Sequence, residues 1–89
     1  MTGLGGNVTA PHSDGALLRQ EWYNPHNQRR YLAELFEDLL GDWILIRRWW
    51  GARRKGNQKM ALVASYAEGL EHLANIDSKR KARGYQRVR

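Results

Sequence analysis

RRYLAELFEDLLGDWILI, residues 29–46, is the stretch whose reading decides the fold. Two periods fit it. Leu32, Leu35, Phe36, Leu39, Leu40 and Trp43 recur at helical spacing, which predicts a helix from about Arg29 to Leu40. Strand alternation fits as well, with Tyr31, Ala33 and Leu35 opposing Leu32, Glu34 and Phe36. Periodicity alone favours the helix.

Downstream the stretch runs into DWILIRRWWGARRKGNQK, residues 42–59. These residues hold three of the four tryptophans and six of the fifteen Lys and Arg side chains. Trp43 to Ile46 suit a pleated, half-buried surface, so residues 43–50 read as a strand. Residues 51–58 carry Gly51, Gly56, Asn57 and the basic run Arg53, Arg54 and Lys55, and read as a turn. Residues 59–64, KMALVA, read as a short strand with Met60, Leu62 and Ala64 on one face.

A C-terminal helix follows. Ser65 and Glu68 make an S-x-x-E capping box. Ala67, Leu70, Leu73 and Ala74 form the expected inward stripe. Gly69 inside it costs up to about 1 kcal/mol relative to alanine. Lys79, Arg80, Lys81 and Arg83 crowd the last turn, where the helix dipole favours cations. Gly84 is placed to end the helix in a left-handed turn, with Tyr85 and Val88 folding back as an apolar anchor.

Upstream, ALLRQEWY (16–23) reads as a first strand, with Leu18, Gln20 and Trp22 on one face and Leu17, Arg19, Glu21 and Tyr23 on the other. Asn24-Pro25 ends it. Residues 1–15, rich in glycine and poor in apolar groups, read as a flexible tail.

With 89 residues the chain is one domain, residues 16–89 behind the tail. A domain this small buries only about 60% of its unfolded surface, so packing must be efficient. Four Trp, four Tyr and one Phe supply the area, and no cysteine is present for a disulfide or thiolate site. There is no membrane-spanning run and no secretory pattern at the start; a cytoplasmic location is expected. The net charge of +6 is unevenly spread. Residues 1–46 carry three basic and six acidic side chains, a net of −3, and residues 47–89 carry twelve and three, a net of +9. That asymmetry points to a polyanionic partner for the second half, set against a basic face that merely aids solubility.

In this order of features the chain resembles a WGR domain, a module named for a Trp-Gly-Arg motif and found in poly(ADP-ribose) polymerases and small bacterial proteins. Tyr31 begins the segment feeding the hairpin. Leu39 to Trp43 resembles the hairpin turn and strand entry of bacterial members, Arg47 to Gly51 the motif strand, and Gly56-Asn57-Gln58 the Gly-Gln turn after it. Ser65 to Tyr85 resembles the single helix. The similarity spans roughly residues 16–88. Two registers fit the motif. Trp50-Gly51 as the Trp-Gly pair puts Ala52 in the arginine position with Arg53 one place late; counting from Trp43 makes Trp49 the motif tryptophan and puts Trp50 in the glycine position. The resemblance implies an α+β fold, an antiparallel sheet of about four strands with one C-terminal helix packed on it. It therefore implies a strand over residues 30–37, against the helical periodicity.

The resemblance also implies that Trp49 or Trp50 stacks near a DNA end while basic strand residues meet phosphates. Arg47, Arg48, Arg53, Arg54, Lys55 and Lys59 form the basic half of this expected site. Adjacent residues of a strand face opposite ways, so Arg47 and Arg48, like Trp49 and Trp50, divide between the faces. About five phosphate contacts would give a log–log salt slope near −4.5. Lys79, Arg80, Lys81, Arg83, Arg87 and Arg89 form a second, auxiliary basic cluster, partly explained by the helix dipole. His12, His26 and His72 lack zinc-ligand spacing. No phosphate loop or nucleophile motif occurs, and Glu34, Glu37, Asp38 and Asp42 read as a solvated group rather than an acid/base pair. The expectation is a non-enzymatic nucleic-acid-binding module without cofactor, metal or membrane association, monomeric, with DNA ahead of RNA. The rival expectation is a protein-interaction module docking on an acidic partner, since Trp and Arg are enriched at interface hot spots.

Overall fold

Residues 29–37 form a strand. A computed structural model describes residues 17–89, apart from the side chain of Arg54. The expected tail over residues 1–15 lies outside the described residues. Strands β1 (Leu18–Asn24), β2 (Arg29–Glu37), β3 (Trp43–Gly51) and β4 (Arg54–Val63) are followed by helix α1 (Tyr66–Ala82) and a two-residue strand β5 (Gln86–Arg87). The strands make one sheet in the order β4-β3-β2-β1-β5, and every pairing is antiparallel. The fold is α+β, with α1 packed on one face of the sheet. Among the described residues no helix is long and apolar enough to cross a membrane.

The helical period of residues 29–40 arises because β2 carries apolar groups on both faces. Tyr31, Ala33 and Leu35 point to the helix side and join the core. Leu32 and Phe36 point to the other side. Leu39 and Leu40, which completed the helical pattern, are 103% and 87% exposed in the β2–β3 turn. Asp38 builds that turn: its Oδ1 accepts the N–H groups of Leu40 and Asp42, each at 2.9 Å, and Gly41 supplies a φ of +87°.

The core lies between the sheet and α1. Trp22, Tyr31, Ala33, Leu35 and Leu45 meet Leu73, Ile76 and Tyr85, with Leu18, Trp43, Trp49 and Val63 packed around them. Tyr31 is its aromatic hub. Trp22 and Tyr85 meet its ring edge-on at 5.8 and 6.4 Å, and Trp49 stacks on it at 5.8 Å with 12° between planes. The Trp22 indole N–H donates to Asp77 Oδ1 at 2.9 Å, and Lys81 pairs with the other oxygen of Asp77 at 3.0 Å. Together they hold the Asp77 carboxyl below its ordinary pKa, the indole hydrogen bond contributing most.

Four sequence expectations change. The inward stripe of α1 is Gly69, Leu73 and Ile76; Ala67, Leu70 and Ala74 are exposed. Gly69 packs directly against the Leu35 side chain of β2, and a Cβ there would lie 2.5 and 2.6 Å from the two Cδ atoms of Leu35. The glycine permits close packing, which a propensity scale cannot register. The turn after β3 is only Ala52-Arg53, and Gly56-Asn57 lies inside β4. The register shifts between Trp49 and Gly51, so β4 bulges opposite Trp50, and Gly56 fits there because a Cβ would come within 3.1 Å of Trp49 O and Trp50 Cβ. The sheet has five strands rather than about four, because β5 adds to β1 through Trp22↔Arg87 and Tyr23↔Gln86. Val88 is half exposed and does not anchor; Tyr85 is buried as expected.

The caps agree with the sequence. Ser65 accepts from the Glu68 N–H at 3.1 Å, and the Glu68 carboxylate accepts from the Ala64 N–H. Gly84 adopts φ +93°. Asn24, buried at the end of β1, ties this terminus to the β1–β2 turn: its Nδ2 donates to Arg83 O, and its Oδ1 accepts from His26 N.

Candidate nucleic-acid interface

Among the described residues α1 packs on one face of the sheet and no other element packs on the second, open face, whose middle residues Leu32, Ile44 and Ile46 are nonetheless buried. On the open face, strand alternation and register bring Tyr23, Arg30, Arg48, Trp50 and Gln58 to one end of the sheet. Arg30 lies directly across from Trp50, and Arg48 lies two residues before it on β3 and across from Gln58. Trp50 is 37% exposed. It forms a ridge between two shallow depressions, one lined by Arg48, Gly56 and Gln58 and the other by Tyr23, Arg30 and Gly51. Gly56, at the bulge in β4 opposite Trp50, lines the first of these.

Both arginines are oriented by neighbours. The Arg48 Nε donates to Gln58 Oε1 at 2.8 Å. The Arg30 guanidinium lies 4.8 Å from the centre of the Tyr23 ring. Neither has a carboxylate partner among the described residues; Glu21 and Glu34, on the same face, are engaged by Arg19 at 3.3 and 3.9 Å. The end of the face near Trp50 is therefore cationic and aromatic. The far end, with Phe36, Ile44, Met60 and Leu62, is apolar.

The residues expected to act together divide into groups. Arg48 and Trp50 belong to the open face. Arg47 and Trp49 point to the helix side, where Trp49 is partly buried against Tyr31, and Lys59 pairs across from Arg47. Arg53 is exposed at the β3–β4 turn, Lys55 is exposed beside it, and Arg54 pairs through its backbone with Gly51. The auxiliary cluster divides too. Lys79 and Arg80 face the β3–β4 half of the sheet, Lys81 is held by Asp77, Arg83 caps α1, and Arg87 lies on β5 with its Nε donating to Arg89 O. The eight residues proposed from sequence thus do not form one patch, because adjacent strand positions alternate.

Sequence reasoning missed Arg30 and Tyr23 as site residues. They lie twenty or more positions from Trp50, and only the β1–β2–β3 register brings them beside it. Of the four acidic residues, the Asp38 side chain makes the β2–β3 turn, and Glu34 makes an ion pair with Arg19. Among the described residues no group of three or more His, Cys, Asp or Glu is placed to hold a metal ion. Comparison with family models, with curated proteins and with solved structures found no match to this chain.

Proposed function

We propose that the chain is a non-enzymatic, WGR-like nucleic-acid-binding module that works through the Trp50 end of its open face. The observation that carries this reading is an exposed Trp50 beside two exposed arginines, on a sheet face that no helix covers among the described residues. Trp50 offers a ring to an unpaired base or to the last base pair of a duplex; such stacking contributes about 1–3 kcal/mol per base. Arg30 and Arg48 reach phosphates on either side of the stacked base, and Arg53 and Lys55 extend the cationic surface past the turn. Phosphate contacts position the strand and read no sequence, so little base preference is expected. DNA is favoured over RNA by the family resemblance alone.

Fluorescence anisotropy with short labelled duplexes and single strands in low salt tests the proposal. Binding at micromolar protein is expected, and Trp50→Ala weakens it at least about fivefold, the lower end of one lost stacking contact. Equal binding by wild type and Trp50→Ala would remove the stacking role.

A second reading rests on Met60 and Leu62, which are 59% and 69% exposed on the edge strand β4 and face the same side as Phe36 and Ile44. Such an apolar surface beside a cationic end suits a protein partner with acidic and apolar groups. Met60→Ser with Leu62→Ser discriminates: it abolishes capture of a protein partner and leaves oligonucleotide affinity unchanged.

A further inference from the structure

The helix side of the sheet holds a cleft of about 450 Å³ between α1 and the β3–β4 half. We infer that this cleft binds a small organic phosphate, a phosphate monoester on a single flat ring system up to the size of a mononucleotide. The inference is independent of the Trp50 surface, which lies on the other face.

Three cations converge on the cleft from two elements, Arg47 from β3 and Lys79 and Arg80 from α1. No carboxylate lines it. Among the described residues the ion pairs engage Arg19, His72 and Lys81, and none of these three cations. Like charges held together without a counter-charge repel, and an anion placed among them removes that repulsion.

Arg80 is the best-positioned of the three. Its guanidinium lies 4.4 Å from the centre of the Tyr31 ring and 5.1 Å from that of Tyr85. Its Nε is buried and has no acceptor among the described residues. Aromatic packing therefore fixes the group before any ligand arrives, which lowers the ordering cost of binding. A buried charged donor without an acceptor is costly, and an incoming oxyanion offers acceptors to this side chain.

The remaining surface selects the rest of the ligand. Leu45, Ala61 and Ile76 give the cleft an apolar floor, which suits a flat ring and not a second charge. Two guanidinium groups and an ammonium match a tetrahedral dianion better than a single carboxylate. The cleft lies within the usual size range of small-molecule sites, about 300–1,000 Å³.

Isothermal titration of the full chain at low salt with phenyl phosphate, a nucleoside monophosphate and inorganic phosphate tests the inference. The two organic phosphates are expected to bind with Kd below about 1 mM, and inorganic phosphate at least about tenfold more weakly. Arg47→Gln and Lys79→Gln each weaken the organic phosphates about tenfold, the effect of one lost charge-assisted hydrogen bond. Thermal melting confirms that both variants fold. The inference is overturned if neither organic phosphate binds near 1 mM, roughly the weakest affinity it allows. It is overturned equally if inorganic phosphate binds as tightly as they do, or if both folded glutamine variants bind like wild type. Weakened organic-phosphate binding in the two glutamine variants with oligonucleotide binding intact separates the two sites.

Discussion

Gly69→Ala is expected to destabilise the protein although it places a better helix former in the middle of α1. On propensity alone the change stabilises by about 1 kcal/mol. The structure opposes this. The new methyl would sit 2.5 and 2.6 Å from the Cδ atoms of Leu35 and 3.1 Å from its Cγ. Leu35 is fully buried on β2 and shares the core with Leu45 and Leu73, so its branch has little room to turn away. Forcing one methyl into such a site costs about 1–3 kcal/mol. The balance is a net loss of up to about 2 kcal/mol, or a melting temperature lower by up to about 15 °C for a domain of this size. Thermal unfolding followed by circular dichroism measures it. Leu35→Ala supplies the control: alone it costs about 2–5 kcal/mol, and combined with Gly69→Ala it costs less than the sum, because the alanine methyl enters the space vacated. A higher melting temperature for Gly69→Ala, or strict additivity in the pair, would refute the close approach of α1 to β2.

Other consequences can be checked directly. Asp77 has a depressed folded pKa, so it contributes stability that is fully present above its unfolded value near 4 and is lost as pH falls through the lowered value. The stability difference between wild type and Asp77→Asn is therefore constant from neutral pH down to about 4 and shrinks below it, as melts across pH will show. If Arg30, Arg48, Arg53 and Lys55 each meet a phosphate, the log–log salt slope on duplex DNA is about −3.6, and each of Arg30→Ala and Arg48→Ala brings it about 0.9 closer to zero. An unchanged slope in both variants would mean that neither arginine touches a phosphate.

Much of the fold was legible, and the exceptions have physical causes. The faces of β1 follow from simple alternation, and the cap at Ser65 and the stop at Gly84 follow from local hydrogen bonding and backbone freedom. The β2 segment was ambiguous because Leu32, Leu35 and Phe36 serve two faces, a pattern that also satisfies a helix. Only the family resemblance pointed to the strand. The helix stripe was misplaced because its central residue is a glycine, whose value lies in what it leaves out. Gly56-Asn57 looked like a turn because a bulge needs the same residue types. The two residues of β5 are too few to carry a period.

The candidate site was half legible. Alternation alone separates Arg47 from Arg48 and Trp49 from Trp50, but which of each pair faces the helix depends on where the helix packs. Arg30 and Tyr23 enter through strand register, to which neighbouring residues in the sequence give no clue. Lys79 and Arg80, readable as helix-dipole partners, prove to face Arg47 across a cleft.

The most direct test of the nucleic-acid reading is a ¹H–¹⁵N titration of the labelled protein with a short single strand at low salt, followed at the tryptophan indole and arginine Nε signals. The account predicts large shifts at Trp50 Nε1, Arg30 Nε and Arg48 Nε, and almost none at Trp22 Nε1, which is held by Asp77. Shifts confined to the helix side, at Trp49 and Arg80, with Trp50 unmoved, would contradict it.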